Sequence, residues 1–200
     1  MSYGLMLYAV ELDKVRGAVG SDSETLRRQI GGRSKRDMAS ADSWFASEIE
    51  AGCPPRYEAL RHLIHGTPRV EGYAFQYAYA FKMIVEFHGR FLSNDGFMPI
   101  SSDYLDTVTD ALRGMGVDTI DVVGLAYFSP PVELPRPDDF PGVGYLELED
   151  LQACLDQFNA AGDAPIDAIA DSFLQTSVRN VRQWCQTCVQ LQRGLVSFYH

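Results

Sequence analysis

Apolar residues recur at two spacings along this chain, and the two predict different elements. Tyr3 to Val10 is aromatic and aliphatic with no helix start signal, so it reads as a strand. The apolar spacing then turns helical through Glu11 to Arg16. Ser21 and Glu24 stand at capping-box spacing, in which hydroxyl and carboxylate each satisfy a free amide, and they predict a short helix to Ile30 ended by Gly31 and Gly32. Gly31 to Arg36 is polar and basic and reads as a mobile loop. Asp37 to Glu50 is helical, with Trp44, Phe45 and Ile49 on one side. Pro54 and Pro55 suit the start of a helix over Arg56 to His65, because proline lacks an amide that would go unpaired there, and Gly66 and Pro68 stop it.

Gly72 to His88 is the most apolar stretch, and its alternating aromatics imitate a strand. Its length, its alanines and the closing Gly89 predict instead a central helix buried on most sides, with Tyr73, Tyr77 and Lys82 bringing polar tips to an edge. Ser102 to Arg113 is a helix with Leu105, Val108 and Leu112 inward and Asp103, Asp106 and Asp110 outward. Val117 to Phe128 leans towards strand. Ser129 to Gly144 carries Pro130, Pro131, Pro135, Pro137 and Pro141, so it can hold neither a helix nor a central strand. Glu147 to Ala161 reads as a helix, Pro165 opens a long one to about Arg193, and Gly194 to His200 closes the chain as a strand. The expectation is a predominantly helical α+β fold in one domain over residues 1–200. Its small sheet pairs the N-terminal and C-terminal strands with a third at residues 122–128.

Composition narrows the class. The 200 residues are 46% hydrophobic and 22% charged, ordinary for a chain that folds on one core without disulfides or metal. The first residues have no positive n-region, so no export signal is expected, and no apolar window is long enough to span a bilayer. Cys53, Cys154, Cys185 and Cys188 are few for the length, and three lie in predicted helices; they read as thiols in a reducing cytoplasm. An effector exported without a cleaved signal is the alternative.

Charge is uneven. Residues 1–100 hold twelve Lys or Arg and twelve Asp or Glu, whereas residues 101–171 hold two basic groups and fifteen acidic ones, within a net charge of −10. An acidic field of this kind attracts a basic partner and repels nucleic acid and anionic lipid. The densest carboxylate set is Asp103, Asp106, Asp110, Asp118 and Asp121, read as a solvated helix face before a Mg²⁺ site.

Motif chemistry is sparse. Cys185 and Cys188 match Cys-x-x-Cys, but they sit deep in a helix on its apolar stripe with Trp184, where packing rather than redox work is expected. His62 and His65 with Glu58 share one helical face, without the His-Glu-x-x-His pattern or a further ligand, so no metal and no cofactor is expected. Glu147-Leu-Glu149 reads as a helix N-terminus, where acids complement the dipole. The Gly-x-Ser-x-Gly, Gly-x-x-x-x-Gly-Lys and Gly-x-Gly-x-x-Gly signatures are all missing.

Four stretches carry a resemblance: Ser2 to Asp13, Tyr57 to Gly66, Gly72 to Ala80, and Pro135 to Gly144 with its Pro-Arg-Pro-Asp-Asp-Phe-Pro-Gly run. Together they resemble a family of small bacterial domains, common in actinobacteria, with no assigned function. The resemblance implies no catalytic residues. In its acidic, cytosolic character the chain is similar to immunity proteins that neutralise bacterial toxins, by analogy alone. The expected function is therefore a non-enzymatic binding module that covers the basic active site of a toxin. Asp103, Asp106, Asp110, Asp138 and Asp139 would form its docking face, and Tyr104, Phe128 and Phe140 its anchors. The rival is an enzyme or small-ligand binder with a pocket on the 72–88 helix, using His62, His65, Tyr73, Tyr77 or His88. A homodimeric structural protein is a third possibility.

Overall fold

Period-two alternation in Leu5–Val10 (β1) sends Leu5, Leu7 and Ala9 to one side of a sheet and Met6, Tyr8 and Val10 to the other. A computed structural model describes residues 3–200; Met1 and Ser2, at the head of one of the stretches that carry the resemblance, lie outside the described residues. The two ends of the chain pair as their patterns predict. Leu5 stands opposite Tyr199 and Val10 opposite Gly194, which makes β1 and Gly194–Tyr199 (β4) the central antiparallel pair. Gly89–Leu92 (β2) flanks β1 and Gly142–Leu146 (β3) flanks β4, giving the order β2-β1-β4-β3.

Both faces of this sheet are covered. On one, Leu5, Leu7, Ala9, Leu195 and Tyr199 pack with residues of Ser102–Gly114 (α7), Leu148–Ala161 (α8) and Ser172–Leu191 (α10), including Leu105, Phe158 and Trp184. On the other, Tyr8, Val10, Val143, Val196 and Phe198 meet Leu12–Ala18 (α1), Arg56–His65 (α5) and Ala74–His88 (α6) through Val15, Leu60, Ile64, Phe81 and Ile84. Burying Phe198 or Leu195 is worth about 2 kcal/mol each, and a one-residue slip of β4 would send both to the wrong layer, so the register is strongly specified. Ser197 is the one polar side chain of β4 in this core, and its hydroxyl donates to the Leu125 carbonyl at 2.6 Å.

The third strand is not where β propensity put it. Residues 122–128 turn through a single 3-10 turn, Gly124–Ala126, that lies against the sheet, and β3 takes the edge instead. Gly142 and Gly144 make this possible: a Cβ on Gly142 would fall 1.8 Å from the Ala126 carbonyl oxygen, and one on Gly144 2.6 Å from the Leu125 Cα. A parallel bridge from Phe128 to Val143, beside the Ser197 hydroxyl on the Leu125 carbonyl, joins the segment to the sheet.

Several boundaries move for local reasons. Ser23, not Ser21, caps Glu24–Arg33 (α2), accepting from the Leu26 amide. Gly31 does not end that helix; it is a contact glycine whose Cβ would meet the Tyr57 ring at 2.5 Å. The basic segment expected as a loop is helical, running on into Lys35–Trp44 (α3). The 37–50 helix breaks at Phe45, leaving Ala46–Glu50 (α4) separate. Pro165 opens only Ala164–Asp167 (α9), and Asp171 then caps α10 by accepting from the Phe173 and Leu174 amides. Tyr77 points into the core rather than to an edge. Cys185 and Cys188 are buried free thiols on the inner stripe of α10. Among the described residues no helix is long and apolar enough to cross a membrane.

Candidate functional site

A cleft of about 580 Å³ opens where the N-terminal half of α6 meets the proline-rich strap between residue 129 and β3. Phe75 and Tyr79, one turn apart on α6, present the same face. Phe45, at the break between α3 and α4, packs against both with ring centroids 5.0 and 6.4 Å away, so the three rings form one wall. The strap supplies the other. Pro135 and Pro137 keep it extended, and Phe140 fastens it by stacking on Tyr3 at 4.7 Å and lying 5.8 Å from Tyr199. That places Asp138 and Asp139 at the opening opposite the rings.

The rim is acidic. Glu48, Glu71, Asp138 and Asp139 border the cleft against the single cation Arg136. Burial pushes the Tyr79 phenol up, Asp139 pushes it further, and Arg56 behind the ring pulls it back. The carboxylate of Asp139 is therefore close enough for its field to reach the aromatic wall. Aromatic faces beside carboxylates are complementary to a cation, which gains quadrupole attraction from the rings and Coulomb attraction from the rim.

The other acidic candidates lie on α7. Asp103, Asp106 and Asp110 are exposed on its outer face, with Asp110 3.9 Å from Arg113. Burial, then Tyr3 and Asp103, raise the Tyr199 phenol, whose ring lies 5.8 Å from that of Phe140 on the strap. The proposed aromatic anchors are used internally. Tyr104 turns onto α10, its hydroxyl 2.7 Å from Ser177 Oγ and its ring 5.1 Å from Phe173; Phe128 packs on the core, and Phe140 holds the strap.

His62, His65, Tyr73, Tyr77 and His88 do not converge. Tyr77 is fully buried, and its hydroxyl accepts from the Val70 amide at 2.7 Å and lies 3.0 Å from His62 Nδ1. Burial, the largest influence, lowers the His62 pKa. His65 meets Asp22, and Tyr73 donates to the Ala51 carbonyl at 3.0 Å. Tyr73 and His88 stand at opposite ends of α6, about 22 Å apart at 1.5 Å per residue. The cleft does use this helix, but through Ala74, Phe75 and Tyr79. No group of three His, Cys, Asp or Glu side chains among the described residues is placed to hold a metal ion.

A family model described as "Domain of unknown function (DUF7691)" matches residues 1–200. The chain belongs to the DUF7691 family. No curated protein and no solved structure matches this DUF7691 chain. The arrangement of the cleft therefore has to speak for the DUF7691 site by its own chemistry.

Proposed function

We propose that this protein is a non-enzymatic acidic binding module whose cleft receives a cationic side chain, arginine or lysine, from a basic protein partner. One observation carries the reading: three aromatic rings face a rim of four carboxylates and one guanidinium. An entering guanidinium can lie on the Phe45 and Tyr79 faces while Asp138 or Asp139 accepts its hydrogen bonds. The exposed aspartates of α7 extend the negative field beyond the cleft, which speeds encounter with a basic surface. An immunity-type inhibitor covering a toxin's basic active site is the specific form of this reading, and it rests on acidity and analogy. The volume also suits a free small-molecule cation, the form in which a ligand-binding reading survives.

The test is calorimetric titration with a capped, arginine-rich peptide at low and high salt, beside an acidic peptide of equal length. The basic peptide should bind, weaken with salt, and lose about ten-fold in affinity in Asp138→Asn/Asp139→Asn, at about 0.5–1 kcal/mol for each exposed charge. Equal affinity in that variant, or no binding of the basic peptide, would refute the reading. Binding of free arginine as tightly as the peptide would favour the small-molecule form.

A further inference from the structure

Phe45 and Tyr79 also form one wall of a second cleft, of about 380 Å³, on the side facing α3. Arg56, the first residue of α5, lines it. That arginine is 4% exposed, yet among the described residues its guanidinium makes no ion pair and no hydrogen bond, and its Nε–H is sealed without an acceptor. Asp42 lies close enough to influence it, but accepts from the Arg56 backbone amide at 2.8 Å instead of pairing with the side chain. The guanidinium carbon sits 4.6 Å from the Tyr79 ring centroid and 6.0 Å from that of Phe45, contacts that offset only part of the lost hydration. Burial lowers the Arg56 pKa to about 10, so the group remains a cation at neutral pH.

A buried cation whose Nε–H is unpaired and whose other donors have no protein acceptor among the described residues is an incomplete arrangement, because buried arginines are ordinarily paired. The cleft around it is suited to completing the set. Of the two carboxylates on the lining, Glu86 is already held by the Tyr8 hydroxyl at 2.7 Å and neutralised by Lys82 at 3.3 Å, while Asp37 is exposed. Trp44 stands at the cleft 82% exposed, an indole face that nothing in the chain covers.

We propose that Arg56 is the recognition group of an oxyanion site: a carboxylate or phosphate enters the second cleft and takes paired hydrogen bonds from the guanidinium, while the planar body that carries it lies on Trp44. This site would take an anion where the acidic cleft would take a cation, and it does not depend on that cleft's role.

The probes are phenyl phosphate and benzoate, which share a ring and differ in the oxyanion, with phenol as the ring alone. Each is titrated into the whole chain at constant ionic strength, following the Arg56 Nε–H resonance and the melting temperature. At least one oxyanion should shift that resonance saturably and raise the melting temperature, phenol should not, and the comparison of the two tells phosphate from carboxylate. Arg56→Met should weaken binding about ten- to a hundred-fold, the usual worth of charge-assisted hydrogen bonds. Without ligand it should melt no lower than the parent, since an unpaired buried charge is exchanged for an apolar group of similar length. Asp138→Asn/Asp139→Asn should leave oxyanion binding unchanged, which separates this site from the other. No saturable shift with either oxyanion, equal affinity in Arg56→Met, or an equal response to phenol would overturn the proposal; should that variant not fold, the titration of the parent chain decides.

Discussion

Mild acid should cost this protein stability chiefly through the imidazole of His200. His200 follows β4, where its backbone exchanges hydrogen bonds with Gly4, and its ring stands edge-on to Tyr79 at 5.5 Å. Its Nε2 is buried without a partner. Burial is the largest influence on its pKa, Lys82 and Arg56 add repulsion, and Glu86 opposes them, so the value falls from 6.5 to about 4. Between those limits the unfolded chain takes up a proton that the native imidazole refuses. The contribution is therefore complete above pH 6.5 and is lost as pH falls towards 4. The difference between those limits corresponds to about 3 kcal/mol, which the partial exposure of His200 reduces to about 2 kcal/mol. Burial also depresses His62 and His88, giving slopes of the same sign, so the informative quantity is the difference from His200→Phe. Urea unfolding followed by tryptophan fluorescence at about pH 7 and about pH 4.5 should show the parent losing about 2 kcal/mol more than the variant. An NMR titration of the His200 ring should have its midpoint near 4. A midpoint near 6.5, or equal pH slopes in the two proteins, would refute the account.

Two further outcomes test the core. The four cysteines should resist iodoacetamide until the protein unfolds: all are buried, burial pushes Cys188 up to about 12, and hydrogen bonding to Cys154 with burial holds Cys185 well above a free thiol. Mass spectrometry of native against denatured samples reads this directly, and rapid native labelling of Cys185 or Cys188 would contradict it. Gly144→Ala should destabilise by about 1–3 kcal/mol, because its Cβ lands 2.6 Å from the Leu125 Cα. The control Gly114→Ala, with nothing within 4 Å, should be neutral or stabilising by up to about 1 kcal/mol; equal urea midpoints for the two variants would show that the Gly124–Ala126 turn does not bear on the strand.

The large elements were legible because their signals are local. Alternation in Leu5–Val10 and Gly194–Tyr199, proline before Arg56 and the spacing on α7 each report on the segment that contains them. Their pairing into a helical α+β fold follows from having two strong strands and many amphipathic helices. The errors fall where a residue answers to a distant one. Gly31 looks like a stop signal, but its missing side chain makes room for Tyr57. Val122 to Phe128 has strand-like composition, yet the turn Gly124–Ala126 fits over β3 because of Gly142 and Gly144 much later in the chain, while Asp121 accepts from the Val123 amide and bends the chain. Propensity describes one strand's fitness and says nothing of which segment reaches the sheet edge first.

The clefts were harder to read for the same reason, carried further. Asp138, Asp139 and the 72–88 helix were each visible as candidates, but the element that joins them is Phe45, which reads as one more apolar residue of a helix until the helix breaks there. Phe75 and Tyr79 could have been paired from their spacing alone, whereas nothing local distinguishes Arg56 from any arginine in the first turn of a helix. Its significance comes from burial by α3 and α6 and from a carboxylate, Asp42, spent on backbone instead of on the guanidinium. Charge counts describe composition, and composition points to a negative field over residues 101–171. Folding divides that field: part stays on α7 in water and part is drawn up to the rim of a cleft walled by Phe45 and Tyr79, the same two rings that line the second cleft beside the buried, unpaired Arg56.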